Sequence, residues 1–99
     1  MPITVIAKLK VKPGSEAAFE AAAMEMIEKI RPSEAGTLSY VLHKNNADPT
    51  EFVYYEVYSD PAALGAHSGS EHMKAFGGMI AALLAGRPEI AMYSEVARK

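Results

Sequence analysis

The sequence predicts an α+β domain of four strands and two helices in the order β-α-β-β-α-β. The expected sheet is antiparallel, with both helices on one face. Three observations carry this. "ITVIAKLKVK" alternates with period two. "EAAFEAAAMEMIEKIR" carries an apolar stripe at helical spacing. "TLSYVLHK" and "EFVYYEVY" are alternating runs separated only by the turn cluster "NNADPT", a connection short enough for an antiparallel hairpin.

Each element has its own signals. In the first strand Ile3, Val5, Ala7, Leu9 and Val11 point one way, and Thr4, Ile6, Lys8, Lys10 and Lys12 the other. Pro13 and Gly14 stop it, and Ser15 is placed to cap the helix that follows. That helix is rich in Ala, Glu, Met and Lys, which lose little on becoming helical. Phe19, Ala22, Ala23, Met26, Ile27 and Ile30 form its stripe, Glu25 and Lys29 an i,i+4 pair, and Pro32 and Gly36 its end. After the hairpin, "SDPAALGAH" reads as a short helical turn capped by Ser59 or Asp60, with Pro61 at its first position. "SGS" breaks it. Ser70 caps a second helix running to about Leu84, with Met73, Phe76, Ile80, Leu83 and Leu84 buried. Gly77 and Gly78 weaken that helix by roughly 1 kcal/mol each relative to Ala, leaving room for close packing or for something beside them. "GRP" ends it, and "EIAMYSEV" is the fourth strand. The order is that of a ferredoxin-like fold.

The totals bound the function. The chain has 99 residues and 49% hydrophobic residues, enough for one cored domain spanning 1–99. A net charge of −2 gives no basic footprint for nucleic acid. There are no cysteines, hence no disulfide framework or thiolate site, which fits a cytoplasmic protein. The N-terminal stretch lacks the pattern of a signal peptide, and no apolar run approaches the ~20 residues of a membrane helix.

The third strand carries Phe52, Tyr54 and Tyr58 on one face and Val53, Tyr55 and Val57 on the other. An antiparallel sheet facing water keeps that face polar. Here both faces need cover and the helices cover one, so a homodimer through sheet faces is expected, a self-complementary patch suiting two-fold symmetry.

The residues with chemical capacity cluster late in the chain. Glu56 shares the face of Phe52, Tyr54 and Tyr58, and a buried carboxylate must be paired, hydrogen-bonded or neutralised. It could act as a general base, hold a histidine tautomer, or be satisfied structurally by backbone donors or an Arg across a dimer. His67 closes the short helical turn. His72 falls in the first turn of the next helix, whose positive end disfavours an imidazolium. Either could move a proton, or each could be an ordinary helix-shoulder residue. Tyr40, Tyr54 and Tyr58, with Phe76 from the second helix, suit an apolar substrate pocket with hydroxyls to offer; plain core and interface packing is the alternative. His67, Glu71 and His72 do not have zinc-ligand spacing, so no metal is expected. Lys8, Lys10 and Lys12 read as snorkelling edge charges. No nucleotide-binding or hydrolase motif occurs.

The runs "VIAKLKVKPGSEAAFEAA", "EAGTLSYVLHKN" and "EFVYYEVYSDPAALGAHSGSEHMKAF" resemble the antibiotic biosynthesis monooxygenase (ABM) domain family over nearly the whole chain. The shared pattern is K-P-G after the first strand, E-x-G-x-x-x-Y entering the second, and E-x-Y-x-x-x-x-x-L-x-x-H-x-x-S-x-H. The resemblance implies a dimer of ferredoxin-like subunits, a dimeric α+β barrel, with a ligand pocket in each subunit between sheet and helices. It also implies oxygenation of an aromatic polyketide or quinol by O2 with no metal or flavin, the substrate's carbanion supplying the electron. A haem-degrading branch uses an Asn, a Trp and an axial His where this chain has Ala7 or Lys8, His67 and Gly77, so that activity is disfavoured. The resulting expectation is a cofactor-independent monooxygenase in which His67 or His72 abstracts a phenolic proton and Glu56 orients the imidazole. Two alternatives share the same cavity. One is an isomerase of a small polar or phosphorylated metabolite, anchored by a cation such as Lys8 or Lys74. The other is a non-catalytic dimeric small-molecule-binding or stress protein.

Overall fold

Four strands form one antiparallel sheet in the order β2-β3-β1-β4, where β1 is Ile3–Lys10, β2 Thr37–Lys44, β3 Glu51–Tyr58 and β4 Glu89–Tyr93. This is the ferredoxin-like arrangement, seen in a computed structural model that describes residues 2–99. Three helices complete it: α1 Glu16–Ser33, α2 Pro61–Ser68 and α3 Glu71–Ile80. The segment expected as a helical turn is thus a helix of its own.

Strand register sets out the inner face in rows. Tyr40, Glu56, Val5 and Met92 lie side by side across the four strands; Leu42, Tyr54, Ala7 and Ile90 make the next row. In β3 every second residue is buried: Phe52, Tyr54, Glu56 and Tyr58. This places Glu56 on the helix side of the sheet. At one end the core is closed by aromatic packing, with Phe19 of α1 4.8 Å from Phe52 and 6.4 Å from Phe76 of α3 between ring centroids. Phe19, Ala23 and Phe52 are essentially inaccessible. The opposite face carries Ile6, Val53, Tyr55 and Val57 half-buried, and Val41 and Tyr93 exposed.

Four local expectations are corrected. Ser15 makes no side-chain cap; Glu16 instead accepts from the Gly14 N–H at 2.7 Å, across a turn where Gly14 has φ of 93°. Pro32 sits inside the last turn of α1 rather than ending it. It forfeits one hydrogen bond, while the Ser33 hydroxyl and the Glu34 N–H still bond back to Lys29 and Ile30. The α-helix expected to reach Leu84 ends at Ile80 and tightens into a 3₁₀ turn over Ala81–Leu83. The chain there is pulled onto the end of β1: Lys12 donates to the Leu83 carbonyl and Ala85 to that of Lys10, both at 2.8 Å. Finally, β4 stops at Tyr93, opposite Thr4 near the start of β1. The other two caps are as expected. Asp60 accepts from Ala63 at 2.8 Å and Ser70 from Met73 at 3.1 Å.

Candidate active site

A cavity of about 420 Å³ lies between the inner face of the sheet and α2 and α3. Its floor is Val5, Ala7, Leu9, Tyr54 and Glu56, and its walls include Tyr40, His67, Met73, Phe76 and Gly77. The void has a local cause. Ala7 is small beside Tyr54, Gly77 contributes no side chain, and a Cβ built on Gly77 would meet nothing within 4 Å. At the β4 edge Ile90 and Met92 line the same cavity yet remain about two-thirds exposed. Their row partners Ala7 and Val5 are buried, so the cavity opens to solvent past β4. Its volume lies in the range of small-molecule pockets, roughly 300–1,000 Å³.

The lining is mostly apolar, with the polar groups at one end. Glu56 is 7% exposed and accepts a hydrogen bond from the Tyr58 hydroxyl at 2.5 Å. Burial raises its pKa, with the Tyr58 bond and His67 acting in the opposite sense. This favours the protonated carboxyl in the folded state. Burial likewise raises the phenol pKa values of Tyr40, Tyr54 and Tyr58, so all three stay neutral hydroxyls.

His67 is 4% exposed and sits in an aromatic cage, 5.2 Å from the Tyr40 ring and 5.3 Å from the Tyr58 ring. Its Nδ1 lies 2.9 Å from Oε1 of Glu34. The orienting contact expected from Glu56 comes from Glu34 instead, while Oε1 of Glu56 takes the Tyr58 hydroxyl. Glu34 is reached by a tight local clamp. Gly36 accepts from the Ser59 N–H at 2.9 Å, and a Cβ on Gly36 would fall 2.5 Å from that of Ala63 in α2. The loop after α1 thus lies directly against the helix that carries His67. Oε1 of Glu34 also accepts from the Thr37 hydroxyl at 2.7 Å, and Oε2 pairs with Nε2 of His72. Burial alone would raise the Glu34 pKa, but the bonds from His72, Thr37 and His67 outweigh it and hold the carboxyl below its usual range.

The predicted residues therefore divide. Glu56, His67, Tyr40, Tyr54 and Phe76 converge on the cavity. Tyr58 backs it, through its bond to Glu56 and its packing on His67. His72 is absent from the cavity lining and turns to Glu34 instead. Tyr54 presents its ring but not its hydroxyl, which is occluded and has no hydrogen-bond partner among the described residues. The Tyr40 ring packs 4.9 Å from it. Glu56 Oε2 and His67 Nε2 also have no protein partner, yet neither is occluded. These are the atoms left for a guest.

Glu34 was missed as a functional residue although it opens the E-x-G-x-x-x-Y pattern. One signal could have found it. A carboxylate just past a helix C-terminus opposes the helix dipole, and such a local conflict marks either a compensating network or a functional constraint. Among the described residues no three His, Cys, Asp or Glu side chains are grouped to hold a metal ion, and no helix is long and apolar enough to cross a membrane.

The comparisons agree with this architecture. The sequence pattern of the family described as "Antibiotic biosynthesis monooxygenase" matches residues 2–78. Protein sll1783 of Synechocystis is 34% identical over 92 residues, covering 93% of this chain, which spans 62% of that protein's length. Rv0793 of Mycobacterium tuberculosis, named as a proposed monooxygenase, is 35% identical over 83 residues, covering 84% of this chain and 80% of its own. A Caulobacter crescentus crystal structure described as a proposed antibiotic biosynthesis monooxygenase superimposes with a TM-score of 0.92 at 31% identity, over 97% of this chain and 91% of that one. This chain belongs to the antibiotic biosynthesis monooxygenase family.

Proposed function

We propose that the protein is a cofactor-independent monooxygenase that oxidises a small phenolic or quinol-like molecule with O2. The observation that supports it is the polar end of the cavity, where an unpartnered imidazole nitrogen of His67 and a carboxyl oxygen of Glu56 reach into an otherwise apolar chamber. His67 takes the proton of the activated C–H or O–H and leaves an electron-rich anion. The anion gives one electron to O2, and the radical pair recombines into a peroxide at carbon. The peroxide takes the proton back from His67; removal of the remaining C–H proton by the freed imidazole then breaks the O–O bond and expels hydroxide, which leaves as water with that proton, so that a CH2 group and O2 become a carbonyl and H2O. Glu56, favoured in its protonated form by burial, donates a hydrogen bond to the developing oxyanion. Tyr40, Tyr54 and Phe76 hold the ring. His72, which faces Glu34, has no direct part.

The isomerase reading needs a cation in the chamber. Neither Lys8 nor Lys74 lines it, which favours the oxygenase. The outer face of the sheet, with Ile6, Val41, Val53, Tyr55, Val57 and Tyr93, is the proposed homodimer surface. Oxygen uptake with an anthrone and menadiol panel tests the activity. Uptake with wild type, and its loss in His67→Ala, is expected. A dead panel with undiminished ligand binding would instead assign a binding protein. Sedimentation of a monomer at micromolar concentration would refute the dimer.

A further inference from the structure

The geometry points to Glu34 as a positioning residue. By accepting the Nδ1 proton of His67 at the end of α1, it commits the imidazole to the tautomer whose Nε2 is the cavity's proton acceptor. This rests on the oxygenase reading for its purpose, but not for its test. Neutral imidazole has one N–H donor and one lone-pair acceptor, and the partner of one nitrogen decides the role of the other. Here the partner of Nδ1 is a buried carboxylate with three polar contacts: the donating Thr37 Oγ1 and His67 Nδ1 on Oε1, and His72 Nε2 on Oε2. An ionised carboxylate is acceptor-only. Ionised Glu34 can only accept, which leaves one role open to Nδ1, that of donor.

The remaining neighbours do not compete. Tyr40 and Tyr58 meet His67 through ring contacts, and Glu56 is bonded to Tyr58. Nε2 has no protein partner among the described residues and is not occluded, while the residue lines the cavity. His72 then has a second-order purpose: its Nε2–H keeps Oε2 occupied, so that the carboxylate cannot rotate away from His67. Residues 34 and 67 are held in register by the Gly36 contact with α2, which accounts for a glycine two positions after the carboxylate.

The test is the tautomer itself. In the full chain labelled with 15N, long-range 1H–15N correlations distinguish a protonated from an unprotonated ring nitrogen at a pH where His67 is neutral. The expected wild-type pattern is protonated Nδ1 and unprotonated Nε2 for His67, and protonated Nε2 for His72. In Glu34→Gln the side chain presents one acceptor and one donor, so at least one of the two histidines must change tautomer. Glu34→Asp, one methylene shorter, keeps the acceptor and should retain part of the wild-type pattern. A wild-type His67 protonated on Nε2 overturns the proposal. So does a Glu34→Gln protein whose two histidines keep the wild-type pattern. Should Glu34→Gln fail to fold, the wild-type pattern and Glu34→Asp still decide. Oxygen uptake separates the two claims: no turnover with the predicted tautomers sinks only the oxygenase. Turnover that is unchanged in a folded Glu34→Gln protein whose His67 has moved its proton to Nε2 sinks only the role of Glu34.

Discussion

Replacing Tyr54 by Phe should make the protein more stable. The Tyr54 hydroxyl is buried, occluded and without a hydrogen-bond partner among the described residues. The neighbouring Tyr40 hydroxyl is close enough to act on it, but the two form no hydrogen bond of ordinary geometry. A buried polar group left unsatisfied costs about 1–3 kcal/mol. Deleting only that oxygen preserves the ring that packs 4.9 Å from Tyr40 and opens a void smaller than a methyl group. Taking the lower half of the range to allow for the lost dispersion contacts, the expected gain is about 1–2 kcal/mol. In a domain of this size each kcal/mol moves Tm by roughly 4–8 °C.

Urea unfolding at fixed protein concentration measures this. The midpoint should rise with an unchanged slope, since the exposed area is the same. Fixed concentration matters because any dimer couples stability to mass action. Because the hydroxyl is occluded, ligand affinity and turnover should change less than about twofold, well under 1.4 kcal/mol. A loss of about 1 kcal/mol or more in Tyr54→Phe would mean that the hydroxyl is satisfied, and that the packing of Tyr40, Tyr54 and Glu56 differs from the one described.

Further expectations concern the carboxylate and the glycines. The Glu56 pKa is raised in the fold, so the unfolded chain deprotonates first. Wild-type stability should therefore fall as pH rises from the ordinary glutamate value of 4.5 through the raised folded value. Glu56→Gln, whose amide oxygen still accepts from Tyr58, removes that slope; stability-versus-pH curves that run parallel for the two proteins would refute it. Glu34 has the opposite sign, its lowered pKa giving stability above the ordinary value that is lost as pH falls. Gly36→Ala should destabilise by about 1–3 kcal/mol, because the new methyl overlaps Ala63 of α2. Gly77→Ala should stabilise α3 by up to about 1 kcal/mol, its methyl meeting nothing. Thermal unfolding of the pair, with shifts of the same sign, would contradict the packing of one or the other.

Most of the fold was legible because it is written in short-range periodicity. Alternation in β1, β2 and β3 sets which side chains share a face, and burial of Phe52, Tyr54, Glu56 and Tyr58 follows that alternation without a register slip. Local caps were read where the side chain is the only partner, at Asp60 and Ser70. Ser15 was misread because its backbone, at φ −100° and ψ 4°, is not the extended one from which a side chain caps. The site was legible only in part. Glu56 and His67 announce themselves as polar residues on apolar faces. The partner of His67 lies 33 residues away in sequence, and that of His72 lies 38 away, and both are Glu34. No local pattern ties these together. Nor does composition reveal a void, which depends on Ala7 and Gly77 meeting across two elements.

The two buried glutamates carry a further consequence, because the fold pushes their acidities apart. Glu34 and Glu56 are both almost fully buried side chains, and burial raises both. Only Glu34 has three donors to reverse that effect; Glu56 has one. Burial thus prevails at Glu56, whose pKa is raised, while the donors prevail at Glu34, whose pKa is lowered. Paired titratable groups whose environments separate their pKa values mark the division of acid and base roles. Exchanging the two environments is not open to this sequence. The loop position admits donors from β2, α2 and α3 at once, whereas a mid-strand position has its backbone donors committed to neighbouring strands.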